Sequence, residues 1–494
     1  MSEEQSSYRQ IMKATSVFGG VQVFNILVQL IRSKVVAVLL GPSGIGIMGL
    51  LQTTVLLVAS ATNFGLGTSA VRDISEASRE DDENKILQTV AVFRKLVWLT
   101  GLLGMAVTVA LSPLLSKLTF GTYDYTLAFV ALAVTLLINQ LAAGQVVLLQ
   151  GLRKINWLAK AIVYASVLGL LASLPLYYFF GNAGIVPAMV LTALALLAVQ
   201  YRFANKMKIK TVALTFREAV HRGKPMLKLG FMLSLSSLIT VAASYIIRIF
   251  ISNTGGVADV GLYNAGFAII GTYVGIVFTA MSTDYYPRLA AVAHSNAESR
   301  TVINQQAEVA LLILAPIIMI FLVFINWVII LLYSTQFIEV NDMILYAALG
   351  MFFKTASWAI GFLFLAKGNS RLFFWNELLT NTYTLALNIL GYHYWGLTGL
   401  GVSFLASYFL HLIQVFLVAK TRYGFSFSSD FIKIFVLQLL LALVCLLVVK
   451  LAGVKEAYIF GSAIVLVSGW HAYRELDKRL DLKAILASIK NKLR

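Results

Sequence analysis

Four cations, Arg32, Lys34, Arg248 and Lys354, stand inside stretches of sequence that are otherwise apolar enough to cross a lipid bilayer. Ammonium and guanidinium groups are strong partners for phosphate and other oxyanions. An ionised side chain at mid-bilayer costs about 2.5–3.5 kcal/mol on insertion scales, so each of the four needs a reason to be there. One reason is binding; the other is snorkelling, in which a long stem lifts its charge to the interface. Lys34 and Arg248 lie a few residues below the expected outer ends of their helices, and both reasons stand for them. Arg32 and Lys34 are two residues apart, about 200° around a helix, so they cannot face one cleft together. For Arg32 the interfacial and the cleft readings are equally open. Lys354 falls near the middle of its run, 343–366, and can snorkel least.

The carboxylates are placed differently. Asp284, Glu308 and Glu377 fall near one set of helix ends, and Glu339 and Asp342 near the other. None is expected at the midplane. A large cationic interior without neutralising acids suits an anionic substrate, whereas a carrier of organic cations would place carboxylates there. His411, near the middle of its run, has the pKa range for a proton-coupled step, but a hydrogen-bonded packing residue is the stronger reading. Five scattered histidines and the single Cys445 make no metal-ligand spacing and no disulfide, and no cofactor is expected.

The elements that position these groups follow from composition. The 494 residues are 59% hydrophobic and 12% charged, with a mean hydropathy of +0.83. A globular surface needs far more charge than that, so lipid must be the solvent for most of the chain. A span takes about 20 mostly apolar residues. About fourteen such runs are readable, near 14–40, 43–66, 90–112, 125–150, 157–180, 183–203, 227–252, 260–283, 308–332, 342–366, 372–395, 397–420, 431–451 and 456–473. Solid apolar runs rather than alternating ones predict helices, not a barrel. The start, Met1–Tyr8, is polar and acidic, so no cleavable signal peptide is expected.

The net charge of +17 is spread over short loops, not gathered on a soluble face, which argues against a nucleic-acid partner. With the amino terminus inside, 32 of the 39 Lys and Arg fall on the inner side; the outer loops hold only Lys117, Lys450 and Lys455. Both termini are therefore expected to be cytoplasmic. Trp327, Tyr333, Tyr392, Tyr394 and Trp395 fall at expected outer ends, as an aromatic belt does.

The chain also repeats itself. Lys34 and Arg248 are related by an offset of 214, and Gly46 and Gly261 by one of 215. Gly144 and Gly151 match Gly361 and Gly368 at 217, and Gly181 and Gly184 match Gly396 and Gly399 at 215. Six spans per repeat is even, so the halves enter from the same face and are parallel repeats. The expected organisation is an all-α polytopic membrane protein with two six-helix lobes, 1–203 and 227–425, joined by a basic cytoplasmic linker, 204–226. Two additional transmembrane helices occupy 426–473, and a basic tail 474–494. Two lobes that rock against each other would open a central cleft to one face at a time.

Several short motifs fall in this frame in a telling order: Lys34-(six residues)-Gly-Pro-Ser-Gly-Ile-Gly, Tyr-Pro-Arg-Leu at 286–289, Gln336-Phe337, and Lys354-(eleven residues)-Ala366-Lys367. With the duplication, they resemble the Wzx polysaccharide flippases of the multidrug/oligosaccharidyl-lipid/polysaccharide exporter superfamily, closest to the O-antigen and lipid III branch. The resemblance covers about residues 10–425 and leaves the last helices outside. It implies a protein of the bacterial inner membrane that moves an undecaprenyl-pyrophosphate-linked oligosaccharide to the periplasmic leaflet, using an ion gradient. It implies as partners that glycan lipid, the phospholipid bilayer and other polysaccharide-assembly membrane proteins. Lys34, Arg248 and Lys354 occupy positions matching the basic residues of that family's cleft. A peptidoglycan lipid-precursor flippase and a multidrug antiporter of the same superfamily are the alternatives. An enzyme is not expected, since no paired acids or large soluble loop supports one.

Overall fold

The computed structural model describes residues 3–79, 82–210 and 212–480; of the expected linker 204–226, residue 211, and of the expected tail 474–494, residues 481–494, lie outside the described residues. The described residues are almost wholly helical, and no strand is found among them. In chain order the helices are α1 (Glu3–Thr62), α2 (Leu66–Arg79), α3 (Glu83–Phe120), α4 (Thr126–Gly151), α5 (Ile155–Phe180), α6 (Ile185–Asn205) and α7 (Phe216–Thr254). They continue as α8 (Val257–Ala268), α9 (Ile276–Ala291), α10 (Asn296–Leu332), α11 (Asn341–Ala366), α12 (Ser370–Tyr423), α13 (Ser429–Leu451) and α14 (Val454–Leu480). A π-helical turn, Ile269–Val274, joins α8 to α9.

Ten helical segments among the described residues are long and apolar enough to cross a membrane. Three of them break at a glycine. The 54 residues of α12 would extend about 80 Å as a straight helix, against about 30 Å of hydrocarbon. The chain instead breaks at Gly396 (φ 56°, ψ −140°). The α5–α6 segment breaks in the same way at Gly181 (φ 54°, ψ −132°), and α1 at Gly41 (φ 65°, ψ −168°), just before Pro42. A side chain would clash in that backbone region, which is why glycine stands at each break. Each long segment is thus two passes. The expected run 456–473 lies on α14, which is helical but falls outside the ten because Lys455, Glu456, His471 and Arg474 dilute its apolar stretch.

The breaks also carry the repeat into the backbone. Positive φ occurs at Gly41 and Gly256, at Arg153 and Gly368, and at Gly181 and Gly396, each pair at an offset of 215, and at Lys208 and Gly424, offset by 216. Two of the four first-half positions reach this conformation without glycine.

The chain gathers into two compact units. In the first, residues 1–261 with 332–334, α3 packs on α4, α4 and α5 on α6, and α7 lies along α1, α2 and α3. Leu66 and Ile74 of α2, Phe93 and Leu96 of α3, and Leu148 of α4 form a buried core there. In the second, residues 262–331 with 335–494, α11 packs closely on α12, while α13 lies against α11 and α14.

Candidate functional site

Lys354 is carried at the middle of α11, in a helix whose other central residues, among them Met351, Phe352, Thr355 and Ala356, are buried. The side chain is half-buried. Its ammonium lies over three ring faces: Tyr408 at 5.1 Å, Phe278 at 5.7 Å and Phe404 at 5.8 Å. Phe278 comes from α9, and Phe404 and Tyr408 stand one helical turn apart on the second pass of α12. Each such contact contributes about 0.5–2 kcal/mol, more as water is excluded. No carboxylate pairs with Lys354 among the described residues. The charge is therefore steadied by rings that leave its hydrogen-bonding capacity for an anion.

His411 belongs to the same neighbourhood. Its ring meets Tyr408 edge-on at 6.2 Å, so one tyrosine touches both Lys354 and His411. Its Nδ1 lies 3.1 Å from Thr380 Oγ1. Thr380 donates its own hydroxyl proton to the Asn376 carbonyl at 2.8 Å, so His411 donates through Nδ1–H and Thr380 accepts. Gln414 joins the group by donating to Asn376 Oδ1 at 2.6 Å.

The other three cations lie in the first unit. Lys34 Nζ donates to the Tyr333 carbonyl at 2.7 Å. Arg248 Nη1 donates to the Ser244 carbonyl at 2.8 Å and to the Ser244 hydroxyl. Arg32 reaches the Tyr177 hydroxyl at 3.4 Å. Arg32 also lines a cavity of about 400 Å³ with Gln52 and Asn139. The structure thus joins Lys354 and His411 in one cluster, and gives Arg32 and Lys34 different surroundings on the same helix, as their angular separation requires.

The aromatic faces around Lys354 were not foreseen from the sequence. Phe278 lies far before Lys354 in the chain and Phe404 far after it, and in apolar runs such rings look like ordinary core. Gln52 and Asn139, two amides in the middle of apolar runs, leave a readable signal in the sequence.

Among the described residues no group of three or more His, Cys, Asp or Glu is placed to hold a metal ion. Cys445 is buried within α13.

A family model described as polysaccharide biosynthesis protein matches residues 11–293. No curated protein sequence matches the chain. Solved structures do. The chain is similar to the lipid II flippase MurJ in an inward closed conformation, with a TM-score of 0.70 and 13% identity over 94% of this chain and 99% of that one. It is similar to an inward-facing multidrug resistance MATE family transporter of the MOP superfamily, with a TM-score of 0.65 and 16% identity over 82% and 94%. A MOP superfamily transporter from Pyrococcus furiosus gives 0.59 and 16% over 83% and 96%. At such identities the likeness is one of fold.

Proposed function

The chain belongs to the polysaccharide biosynthesis protein family, and on that premise we propose that it is a flippase for an undecaprenyl-pyrophosphate-linked oligosaccharide. The cargo is an O-antigen, enterobacterial-common-antigen-like or capsule repeat unit. It passes from the cytoplasmic to the periplasmic leaflet of the inner membrane by alternating access, with both termini of the protein cytoplasmic and an ion gradient as the drive. The sugar crosses in a hydrated path, which spares its hydroxyls contact with hydrocarbon. The polyprenyl tail stays in lipid.

The observation that supports this reading most is Lys354, a mid-span ammonium steadied by three ring faces and by no acid among the described residues. A pyrophosphate supplies the counter-charge that the protein leaves out. Arg248 and Lys34 are further candidate partners for the anion, and His411, one tyrosine away from Lys354, is the candidate for proton coupling. To test the assignment, Lys354→Ala is compared with wild type for surface-polymer assembly at equal expression. Loss of polymer is expected; unchanged polymer would sink the role given to Lys354.

A second reading has its own observation. The likeness to the lipid II flippase spans 94% of this chain, so it must reach beyond residue 425 into the added helices, where the transporter likenesses cover 82–83%. A peptidoglycan-precursor cargo would need the same anion chemistry with a different sugar. Rescue of a strain lacking its own precursor flippase separates the two.

A further inference from the structure

Gln52 and Asn139 are amides at the centres of their membrane passes. Gln52 stands midway between Pro42 and Thr62, the end of α1, and Asn139 is at the middle of α4. Both side chains are exposed, and no hydrogen bond reaches either amide from the described residues. In hydrocarbon that arrangement is costly, because each amide brings two donors and an acceptor with nothing to satisfy them. Instead the two line one cavity of about 400 Å³ together with Thr192 of α6 and Arg32. Arg32 Nε, aimed away from water, has no hydrogen-bond partner there. Gln140, next in sequence, is held by the Thr100 hydroxyl at 2.9 Å, which fixes the α4 wall.

The duplication sets these polar groups beside the second half. At the repeat spacing of 215, at which α4 and α11 coincide end to end, the position of Gln52 is taken by Phe267, that of Thr135 by Gly350 and that of Asn139 by Lys354. The first half thus keeps a neutral amide where the second half carries its mid-span ammonium. A volume of about 300–1,000 Å³ is that of a small-molecule site. Its lining offers neutral donors and acceptors, one guanidinium and no carboxylate. That is the chemistry of a ligand rich in hydroxyls.

We propose that this cavity is a sugar subsite, in which Gln52 and Asn139 hydrogen-bond the hydroxyls of one ring of the transported glycan and Arg32 donates to the same ring. The inference rests on the flippase reading and refines it by naming residues for the sugar of the transported lipid.

The test measures binding of two probes to the purified full-length protein in nanodiscs: undecaprenyl pyrophosphate, and undecaprenyl pyrophosphate carrying a trisaccharide. Wild type is expected to bind the trisaccharide lipid about tenfold or more tightly than the bare lipid, as several neutral hydrogen bonds allow. In the double variant Gln52→Leu with Asn139→Leu that preference disappears while affinity for the bare lipid holds. The single variants give the same direction with smaller loss, and serve if the double variant does not fold. A preference that survives in the variants, or equal binding of both probes by wild type, overturns the sugar subsite. Failure of wild type to bind either lipid overturns the flippase reading itself, and the subsite with it.

Discussion

Gly46 of α1 and Gly261 of α8, equivalent positions of the two repeats, sit in a reciprocal contact: a Cβ on Gly46 would overlap the Val257 carbonyl, and one on Gly261 would overlap the Pro42 carbonyl. Pro42 and Val257 are related by the same offset as the two glycines. The contact therefore maps onto itself under the repeat, and the two helices cross backbone to backbone at that point.

Substitution at this crossing has no flexible side chain to push aside. Gly46→Ala and Gly261→Ala are each expected to cost about 1–3 kcal/mol, the range for overpacking a tight site. Because each relieves the fit that the other needs, the double variant should cost less than the sum. Thermal unfolding of the purified variants in detergent measures both effects. A Gly46→Ala variant as stable as wild type would show that the crossing is looser than described.

Tyr408 joins Lys354 to His411, and its ring face rather than its hydroxyl makes the contact with Lys354. Tyr408→Phe should keep transport near the wild-type level. Tyr408→Leu removes one cation–π contact, worth about 0.5–2 kcal/mol, and should slow transport several-fold without lowering expression. Polymer assembly in a strain lacking its own flippase reads out both. Equal loss in the two variants would point to the hydroxyl instead.

How much of this was legible from sequence depends on what kind of signal each feature leaves. Runs such as 308–332 announce themselves, and they recur in the structure as helices. Gly181 and Gly396 were legible as a repeat because only glycine takes that turn easily. Arg153 and Lys208 were not, since they hold positive φ without glycine and leave no mark in the sequence. Lys354 stood out because a charge in lipid is expensive. Its cage did not, because Phe278, Phe404 and Tyr408 come together only through the packing of α9, α11 and α12. Gln52 and Asn139 lie between these cases: polar within apolar runs, yet uncharged, so their cost in lipid is smaller and their signal weaker.

The added helices are fastened to the second unit at both ends, and the two fastenings differ in strength. Lys450 of α13 pairs with Asp342 of α11 at 2.5 Å, with side chains 31% and 47% exposed. Arg479 of α14 pairs with Glu308 of α10 at 2.8 Å, with side chains only 22% and 12% exposed. Glu308 also accepts from Ser428 at 2.8 Å, and Ser428 caps α13. An exposed pair contributes about 0–1 kcal/mol, whereas leaving a buried charge without its partner costs about 3–5 kcal/mol at full burial. Glu308→Ala should therefore loosen α13 and α14 and speed proteolysis at the α12–α13 connection. Asp342→Ala should do little. Equal sensitivity of the two variants would contradict this ranking.

The inner fastening should also depend on pH, through Glu475 on α14. Hydrogen bonds from Lys478 and then Arg479 hold its carboxyl down to about 2, from an ordinary value of 4.5. A carboxylate with a lowered pKa in the folded protein contributes stability that is fully present above its unfolded value. That contribution fades as pH falls from about 4.5 towards 2. The link between the Glu475 carboxylate and Arg479, 2.6 Å long, then opens, and Arg479 keeps Glu308 and the Glu475 carbonyl. Protease accessibility of α14 should be flat from neutral pH to about 5 and rise below it. In Glu475→Gln the neutral amide cannot titrate, so accessibility should start higher and lose much of its pH dependence in that window. If the variant shows the same acid-induced rise as wild type, Glu475 is not the group that titrates.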